Sequence, residues 1–338
     1  MANQSLAVKY RPNMWDTVIG QPTIVDILKS QAESGKFSRT ILLCGPAGCG
    51  KTTLARIFAK AINNGKGTPI EIDGASNNGV DNVRDIIDRA QQKALDAEYK
   101  CFIIDECHSL SNNAWQAFLK TIEEPPAKSV FLFCTTDPQK IPNTILSRVQ
   151  RFDIKRISFE DIVNRLKFII KSENITNWEE PAVEYIAKIG DGGMRESISL
   201  LQKALSYSKD LTVDNTIKAL GIIDYSVMFD LINAIYDGEE SKVIDIIEKQ
   251  YRDGADLKQF IKQFTLFLLD IRKYSLFNST KYISIPDTYL PELKKYIKET
   301  DEKVNKMFLD QVNEFNSSIK WETVVKPLIE LKLLMLCK

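Results

Sequence analysis

The sequence predicts an α/β fold, a parallel β-sheet covered by helices on both faces, followed by segments that are helical throughout. Three observations carry this reading. A glycine-rich loop, Gly45-Pro46-Ala47-Gly48-Cys49-Gly50-Lys51-Thr52-Thr53, joins the apolar run Leu42-Leu43-Cys44 to the helical stretch Leu54-Ala55-Arg56-Ile57-Phe58-Ala59-Lys60. Short apolar runs alternate with helical periodicities through the first part of the chain, the pattern of parallel strands joined by crossover helices. Near Ser158 the pattern changes, and only helical periodicity follows.

Taken in order, Ala7–Pro12 and Trp15–Gln21 read as irregular, and Pro22 opens a helix that carries Ile24, Ile27 and Leu28 on one face. After the glycine loop and its helix, Ile70–Ile72 is a short strand. The polar, turn-rich Asp73–Gly79 reads as a loop, and Val83, Ile86, Ile87 and Ala90 then recur at helical spacing. Cys101–Glu106 is an apolar run closed by two acids, too short for a buried helix, and reads as a buried parallel strand. A helix from about Asn112 to Glu124 is stopped by Pro125-Pro126, and Val130–Cys134 is a further buried strand. Ser158-Phe159-Glu160-Asp161 has the spacing of a capping box. Helices follow over Ile162–Ile170, Ala182–Ile189, Arg195–Tyr207 and Thr212–Leu220. Ile222-Ile223-Asp224 reads as a joint, and the amphipathic helices beyond it are broken around Ser284–Asp287 and end with Leu328–Leu336.

At 338 residues the chain predicts two or three domains, each able to bury a core. Lys plus Arg balance Asp plus Glu at 45 each, so any polyanion must be met by a local patch and not by net charge. The N-terminus shows no basic segment followed by an apolar run, and no stretch reaches the length that spans a bilayer. The expectation is a soluble, intracellular protein with no membrane partner. Of the six cysteines, Cys44, Cys101 and Cys134 fall in apolar runs and no two have CxxC spacing. Reduced core thiols are expected, without a disulfide framework or a zinc site.

The chemistry concentrates at the ends of the predicted strands. Glycines at 45, 48 and 50 let consecutive backbone N–H groups converge at a helix N-terminus, whose partial positive charge suits a phosphate. Lys51 adds a full charge for the β- and γ-phosphates of a nucleoside triphosphate, and the Thr52 hydroxyl is placed to ligate the accompanying magnesium ion. Asp105, at a strand end, can hold that magnesium, and Glu106 can orient and deprotonate a water for attack on the γ-phosphate. Hydrolysis is the expected reaction. Cys134-Thr135-Thr136-Asp137 ends a neighbouring strand, where a threonine hydroxyl could help position the water. Arg148 and Arg195, read without context, are as readily solvated surface charges as functional groups. His108, the sole histidine, reads as a polar capping or packing residue, because no nucleophile accompanies it.

A resemblance sharpens these readings. Tyr10-Arg11-Pro12, Gly45–Thr53, Glu71–Asp81, Asp105–His108, Lys120–Pro126, Thr135–Pro138 and Gly192–Arg195 occur in the order found in the bacterial DNA polymerase III gamma/tau family, the AAA+ motor of the sliding-clamp loader, which the first two thirds of the chain resembles. The last third resembles that family's collar in length and helicity. The resemblance implies a RecA-like AAA+ P-loop ATPase domain over 1–158, an all-helical lid over 159–221 and an all-helical oligomerisation collar over 222–338. It implies that Lys51 and Thr52 form the Walker A pair within a nucleotide-binding loop of Gly45, Pro46, Ala47, Gly48, Cys49, Gly50, Lys51, Thr52 and Thr53. Asp105 and Glu106 become the Walker B pair, Thr136 sensor 1, Arg195 the sensor 2 arginine, and Arg148 the finger offered to a neighbouring subunit's ATP. Ala7, Val8, Arg11, Pro12, Val18 and Ile19 match positions at the adenine end, and Ser76, Asn77, Asn78 and Arg84 match the element facing DNA.

The implied cofactors are ATP and Mg2+. The implied partners are a sliding clamp, primer–template DNA, the other subunits of a homo- or hetero-oligomeric pentameric ring and, indirectly, the replicative polymerase, in the cytoplasm of a bacterium or of a viral host. Three departures from the family pattern stand out: a four-cysteine zinc module is replaced by Asn63–Thr68, Ser-Arg-Cys becomes Ser147-Arg148-Val149, and no tau-like extension follows Lys338. Such a compact form suits a viral replisome or a shortened cellular subunit. Two other functions are compatible with the fold, a non-hydrolysing ring scaffold like the delta-prime subunit and another AAA+ machine such as a branch-migration helicase. The intact Lys51, Thr52 and Glu106 count against the first, and the 75–79 and 123–126 signatures against the second.

Overall fold

In the computed structural model, which describes residues 4–221, 223–319 and 322–337, the Ser5 carbonyl accepts from the N–H groups of Val8 and Lys9. This closes the single helical turn α1 (Leu6–Lys9). A 3-10 turn follows at Trp15–Thr17, so the segment expected to be irregular contains two short turns. Pro22 pre-sets the first turn of α2 (Pro22–Ser34). Leu28 is buried and Ile24 and Val25 pack beside it, whereas Ile27 is 41% exposed and leaves the predicted apolar face.

The next elements alternate, as anticipated through β4: β1 (Thr40–Cys44), α3 (Lys51–Ile62), β2 (Ile70–Asp73), α4 (Val80–Gln91), β3 (Lys100–Asp105), α5 (Asn112–Glu123) and β4 (Ser129–Thr135), followed by α6 (Asn143–Leu146) and β5 (Gln150–Asp153). The Ser111 hydroxyl accepts from the Ala114 N–H to cap α5. β5 was not expected as a strand. It is a four-residue edge strand in which only Phe152 is buried, so it lacks the apolar run that betrays a central strand. All strands pair in parallel, in the order β2-β3-β4-β1-β5.

Alternation along the strands feeds two cores. Leu42, Phe102, Ile104, Phe131 and Phe133 face α4 and α5, meeting Val83, Ile86, Trp115 and Phe118. Ile41, Leu43, Ile103, Val130 and Leu132 face the other way, onto Leu28 of α2 and Leu54, Phe58 and Ile62 of α3. Each such side chain contributes about 1.5–3 kcal/mol when fully buried. Pairing of Cys44 with Thr135, of Ile104 with Phe133 and of Asp73 with Asp105 brings the carboxyl ends of β1 to β4 to one edge of the sheet.

The chain divides into two compact units, Met1–Asn174 with Ile189–Gln202, and Ile175–Lys188 with Lys203–Lys338. The last helix in the first unit's longer stretch is α7 (Phe159–Ser172), capped by the Ser158 hydroxyl on the Asp161 N–H. The next helices are α8 (Glu180–Ile189), α9 (Met194–Tyr207) and α10 (Val213–Leu220), the last capped by Thr212. Ile222, part of the predicted joint, lies outside the described residues, as do Met1–Asn3 and Lys338.

In the second unit α11 (Tyr225–Tyr236), α12 (Glu240–Arg252), α13 (Leu257–Phe277), α14 (Leu290–Glu299), α15 (Glu302–Ser318) and α16 (Val325–Leu334) surround one core. It contains Phe229, Ile232, Phe260, Phe264, Phe308, Ile329 and Leu333. The break predicted around 284–287 is anchored by the buried Asp270, whose carboxylate accepts from the Ser284 N–H at 2.6 Å. Burial raises the Asp270 pKa, against the opposing pull of that N–H and of Lys273.

The cysteines are unpaired. Cys44, Cys49, Cys101, Cys107 and Cys134 are buried, while Cys337 is half-buried. Burial pushes the Cys44 thiol up to about 11 and the Cys101 thiol to about 12, which keeps both protonated at neutral pH. Among the described residues no single helix is long and apolar enough to cross a membrane.

Candidate nucleotide-binding and catalytic site

The carboxyl edge of a parallel sheet is where the strand order leaves a crevice, and the first unit has such a crevice beside the glycine loop. Its lining includes Ala47, Gly48, Cys49, Gly50, Lys51, Thr52 and Thr53 from the loop and α3, and Asp105 and Glu106 from the end of β3. Ala7, Arg11, Pro12, Val18 and Ile19 line it from the N-terminal segment, and Arg195 from the start of α9. Val8, expected with them, lies outside the lining and is exposed.

The loop backbone needs its glycines at specific points. Gly45 leaves β1 so close to the chain after β5 that a Cβ would lie 2.3 Å from the Ile154 carbonyl oxygen. Gly48 has φ +70°, and a Cβ there would strike the Glu196 carboxylate; its own carbonyl accepts from the Met194 N–H at 3.1 Å. The loop is thus packed against the segment that carries Arg195. Lys51, the first residue of α3, is buried, and its ammonium donates to the carbonyls of Gly45 and Pro46 at 2.8 Å each. The Thr52 hydroxyl donates to Asp105 Oδ2 at 2.7 Å.

Beyond β3 the chain turns sharply. Glu106 adopts φ +44°, a left-handed conformation uncommon outside glycine, and its N–H donates to Asp105 Oδ1 at 3.0 Å. Its carboxylate accepts from the Thr136 hydroxyl at 3.0 Å. Thr136, expected to help position the water, follows β4, so its pairing with Glu106 comes from adjacent strands of the sheet.

Lys51, Arg11, Arg195 and Arg165 set positive charge around the crevice, against Asp105, Glu106 and Glu196. Burial first, and then the neighbouring Arg56 and Arg195, lower the Arg11 pKa; burial likewise lowers that of Arg165, whose guanidinium donates to the Tyr10 carbonyl. This balance suits a polyphosphate with a divalent cation. The hydroxyl and carboxylate oxygens of Thr52 and Asp105 are hard donors of the kind magnesium takes. Among the described residues no three His, Cys, Asp or Glu side chains group as a metal cage.

Tyr10, Ile157, Arg165, Met194, Glu196 and Ile198 also line the crevice and were missed from sequence. Arg165 sits on an amphipathic helix, where an arginine carries no signal of its own. His108, expected as a polar capping or packing residue, places its Nδ1 3.2 Å from Glu106 Oε2.

Val8 apart, the expected Gly45, Pro46, Thr136, Arg148 and the loop after β2 lie outside the lining. Arg148 is half-exposed after α6, its guanidinium paired with Glu123 and donating to the Thr144 carbonyl. The loop after β2 is organised by Asp73, which accepts from the Ser76 hydroxyl at 2.7 Å and the Ala75 N–H at 3.1 Å; the Ser76 bond holds the Asp73 carboxyl below its ordinary value. The Asn77 amide caps the Asp73 carbonyl, the Ser111 N–H donates to the Asn78 carbonyl, and Arg84 pairs with Asp81 at 3.0 Å. The loop presses on the Asp105–Glu106 turn at Gly74, where a Cβ would lie 2.9 Å from the carbonyl oxygens of Asp105 and Glu106.

Comparison with known proteins gives matches along most of the chain. Residues 68–158 match the family described as DNA polymerase III, delta subunit. Residues 161–210 match the DNA polymerase III clamp loader subunit, ATPase lid domain, and 211–312 match DNA polymerase III subunits gamma and tau domain III. The chain is 33% identical to the DNA polymerase III subunit tau of Bacillus subtilis over its whole length, and it spans 64% of that relative. It is 34% identical to the DNA polymerase III subunit gamma of Buchnera aphidicola subsp. Schizaphis graminum, over 79% of this chain and 80% of that one. In fold it is similar to the RuvB Holliday junction branch migration motor of Thermotoga maritima, with a TM-score of 0.53 at 21% identity over 67% of this chain and 79% of that one.

Proposed function

This chain belongs to the gamma/tau family of DNA polymerase III clamp-loader subunits, and from that premise we propose that it is an ATP-hydrolysing motor that opens a sliding clamp and loads it onto primer–template DNA. One observation carries the reading: Lys51 and Thr52 stand beside Asp105 and Glu106 at one edge of the sheet, with Glu106 gripped by Thr136. In this reading the loop N–H groups and Lys51 bind the β- and γ-phosphates. Thr52 and Asp105 would hold a magnesium ion, whose contribution is to neutralise charge on those phosphates. Glu106 takes a proton from water as the water oxygen bonds to the γ-phosphorus. The bond from that phosphorus to the bridging oxygen breaks, and ADP leaves with the electron pair.

Ala7, Arg11, Pro12, Val18 and Ile19 take the adenine end, without the expected Val8, and Arg195 takes the γ-phosphate of its own chain. The exposure of Arg148 supports a role on a neighbouring subunit's nucleotide. Ser76, Asn77, Asn78 and Arg84 meet DNA phosphates without reading bases, as a loader acting at any primer end requires. The helices over 159–221 form a lid, and the collar over 222–338 holds the subunits in a ring, which is pentameric and cytoplasmic. The short crossing from α3 to β2, which contains Asn63–Thr68, supports a protein without the family's zinc module.

ATP turnover measured with and without a sliding clamp and primed DNA tests the proposal. Stimulation that needs both supports it. The match of 68–158 to a delta-subunit family favours a second reading, a ring scaffold that binds ATP without turnover; complete absence of hydrolysis in a ring with its partners would support that one.

A further inference from the structure

Glu106 is the group assigned to activate water, and its carboxylate has two neighbours. Thr136 donates to Oε2 at 3.0 Å. The second neighbour, His108, stands in the single 3-10 turn Cys107–Ser109, with its side chain 17% exposed and Nδ1 3.2 Å from the same Oε2. Nδ1 also lies 3.1 Å from the Thr135 hydroxyl, and the oxygen of that hydroxyl accepts from the Asp137 N–H at 3.0 Å. The ring is therefore fixed against the end of β4 while its Nδ1 edge meets the glutamate. An ionised carboxylate only accepts, so this arrangement calls for a proton on Nδ1. A bare Nδ1 would set a lone pair against Oε2.

We infer that His108 is a positioning residue for Glu106, acting with Thr136 to fix Oε2 so that Oε1 is left to take the proton from the attacking water. The inference rests on the ATPase reading proposed above. It accounts for a left-handed residue held at a functional site: conformations of this kind persist where the surroundings over-determine them, and here the grip comes from Asp105 on the backbone side and from Thr136 and His108 on the carboxylate side.

The test measures kcat, KM and ATP affinity for the full chain carrying His108→Ala, His108→Asn or Glu106→Gln. His108→Ala should lower kcat on the order of 10-fold to 100-fold, a part of what a general base supplies, with KM and ATP affinity within about twofold of the parent. His108→Asn, whose amide N–H can stand where Nδ1–H stood, should recover most of the lost turnover. A residue that merely packs would not be rescued in this way. Turnover by His108→Ala within about twofold of the parent, beside an inactive Glu106→Gln, would overturn this inference alone, as would equal impairment of the Ala and Asn variants. Parental turnover by Glu106→Gln would overturn the ATPase reading and this inference with it.

Discussion

The Thr52 hydroxyl donates a 2.7 Å hydrogen bond to Asp105 Oδ2 across 53 positions of sequence. Thr52 stands in the first turn of α3, directly after the loop that leaves β1, and Asp105 ends β3; β4 pairs with both strands and brings them to a common edge. In the proposed mechanism this bond joins the half of the crevice that binds phosphate to the half that hydrolyses it, so the two halves should fail differently.

Glu106→Gln should still bind ATP and barely hydrolyse it, because the substitution removes the proton acceptor and leaves the loop intact. Lys51→Ala should lose ATP binding, since it removes the buried ammonium beside the loop carbonyls. Titration calorimetry separates the two, and a Glu106→Gln variant unable to bind ATP would refute the division of roles.

Arg148→Ala should spare folding and ATP binding but reduce turnover on the order of 10³-fold to 10⁵-fold, the usual worth of an arginine finger. Co-assembly with Lys51→Ala should restore part of the clamp- and DNA-stimulated rate, at junctions where a Lys51→Ala subunit offers its Arg148 to an Arg148→Ala neighbour. Mixed rings that form and stay as inactive as either parent would place Arg148 in a structural role, in keeping with its pairing to Glu123.

Asp270 makes the second unit's stability depend on pH. Burial raises its pKa in the folded state above the ordinary value of 3.8, so the folded chain holds a proton that the unfolded chain releases. Its contribution is present below pH 3.8 and is lost as pH rises through the raised value. Asp270→Asn keeps an acceptor for the Ser284 N–H without titrating. Denaturant midpoints should therefore show the parent losing stability relative to this variant as pH increases from about 4 to 7; the opposite trend would mean that the ionised form is the stabilising one.

Elemental analysis after chelator treatment should find no stoichiometric zinc. The cysteine thiols are buried in the two cores of the sheet or lie near the C-terminus, as Cys337 does. Retention of about one equivalent would show a metal site assembled from residues not grouped here.

The sequence alone was enough to determine the sheet-and-helix order, because apolar runs flanked by turns at 42–44, 101–105 and 130–134 can be buried only as central parallel strands. It also singled out the glycine loop, Lys51, Thr52, Asp105 and Glu106, whose place at one crevice follows from backbone conformation and from position at strand ends. The four-residue edge strand β5 escaped, having one buried side chain to signal it, and Ile27 escaped because helical spacing places it only one position from the buried Leu28. Tertiary structure decided the rest: that Arg165 and Glu196 line the crevice, that Val8 does not, and that His108 meets Glu106. The reason is physical. Hydrophobic periodicity reports which face of an element is buried, whereas the direction of a polar side chain at a loop or helix end depends on partners brought close by strand register, and that register is a property of the folded sheet.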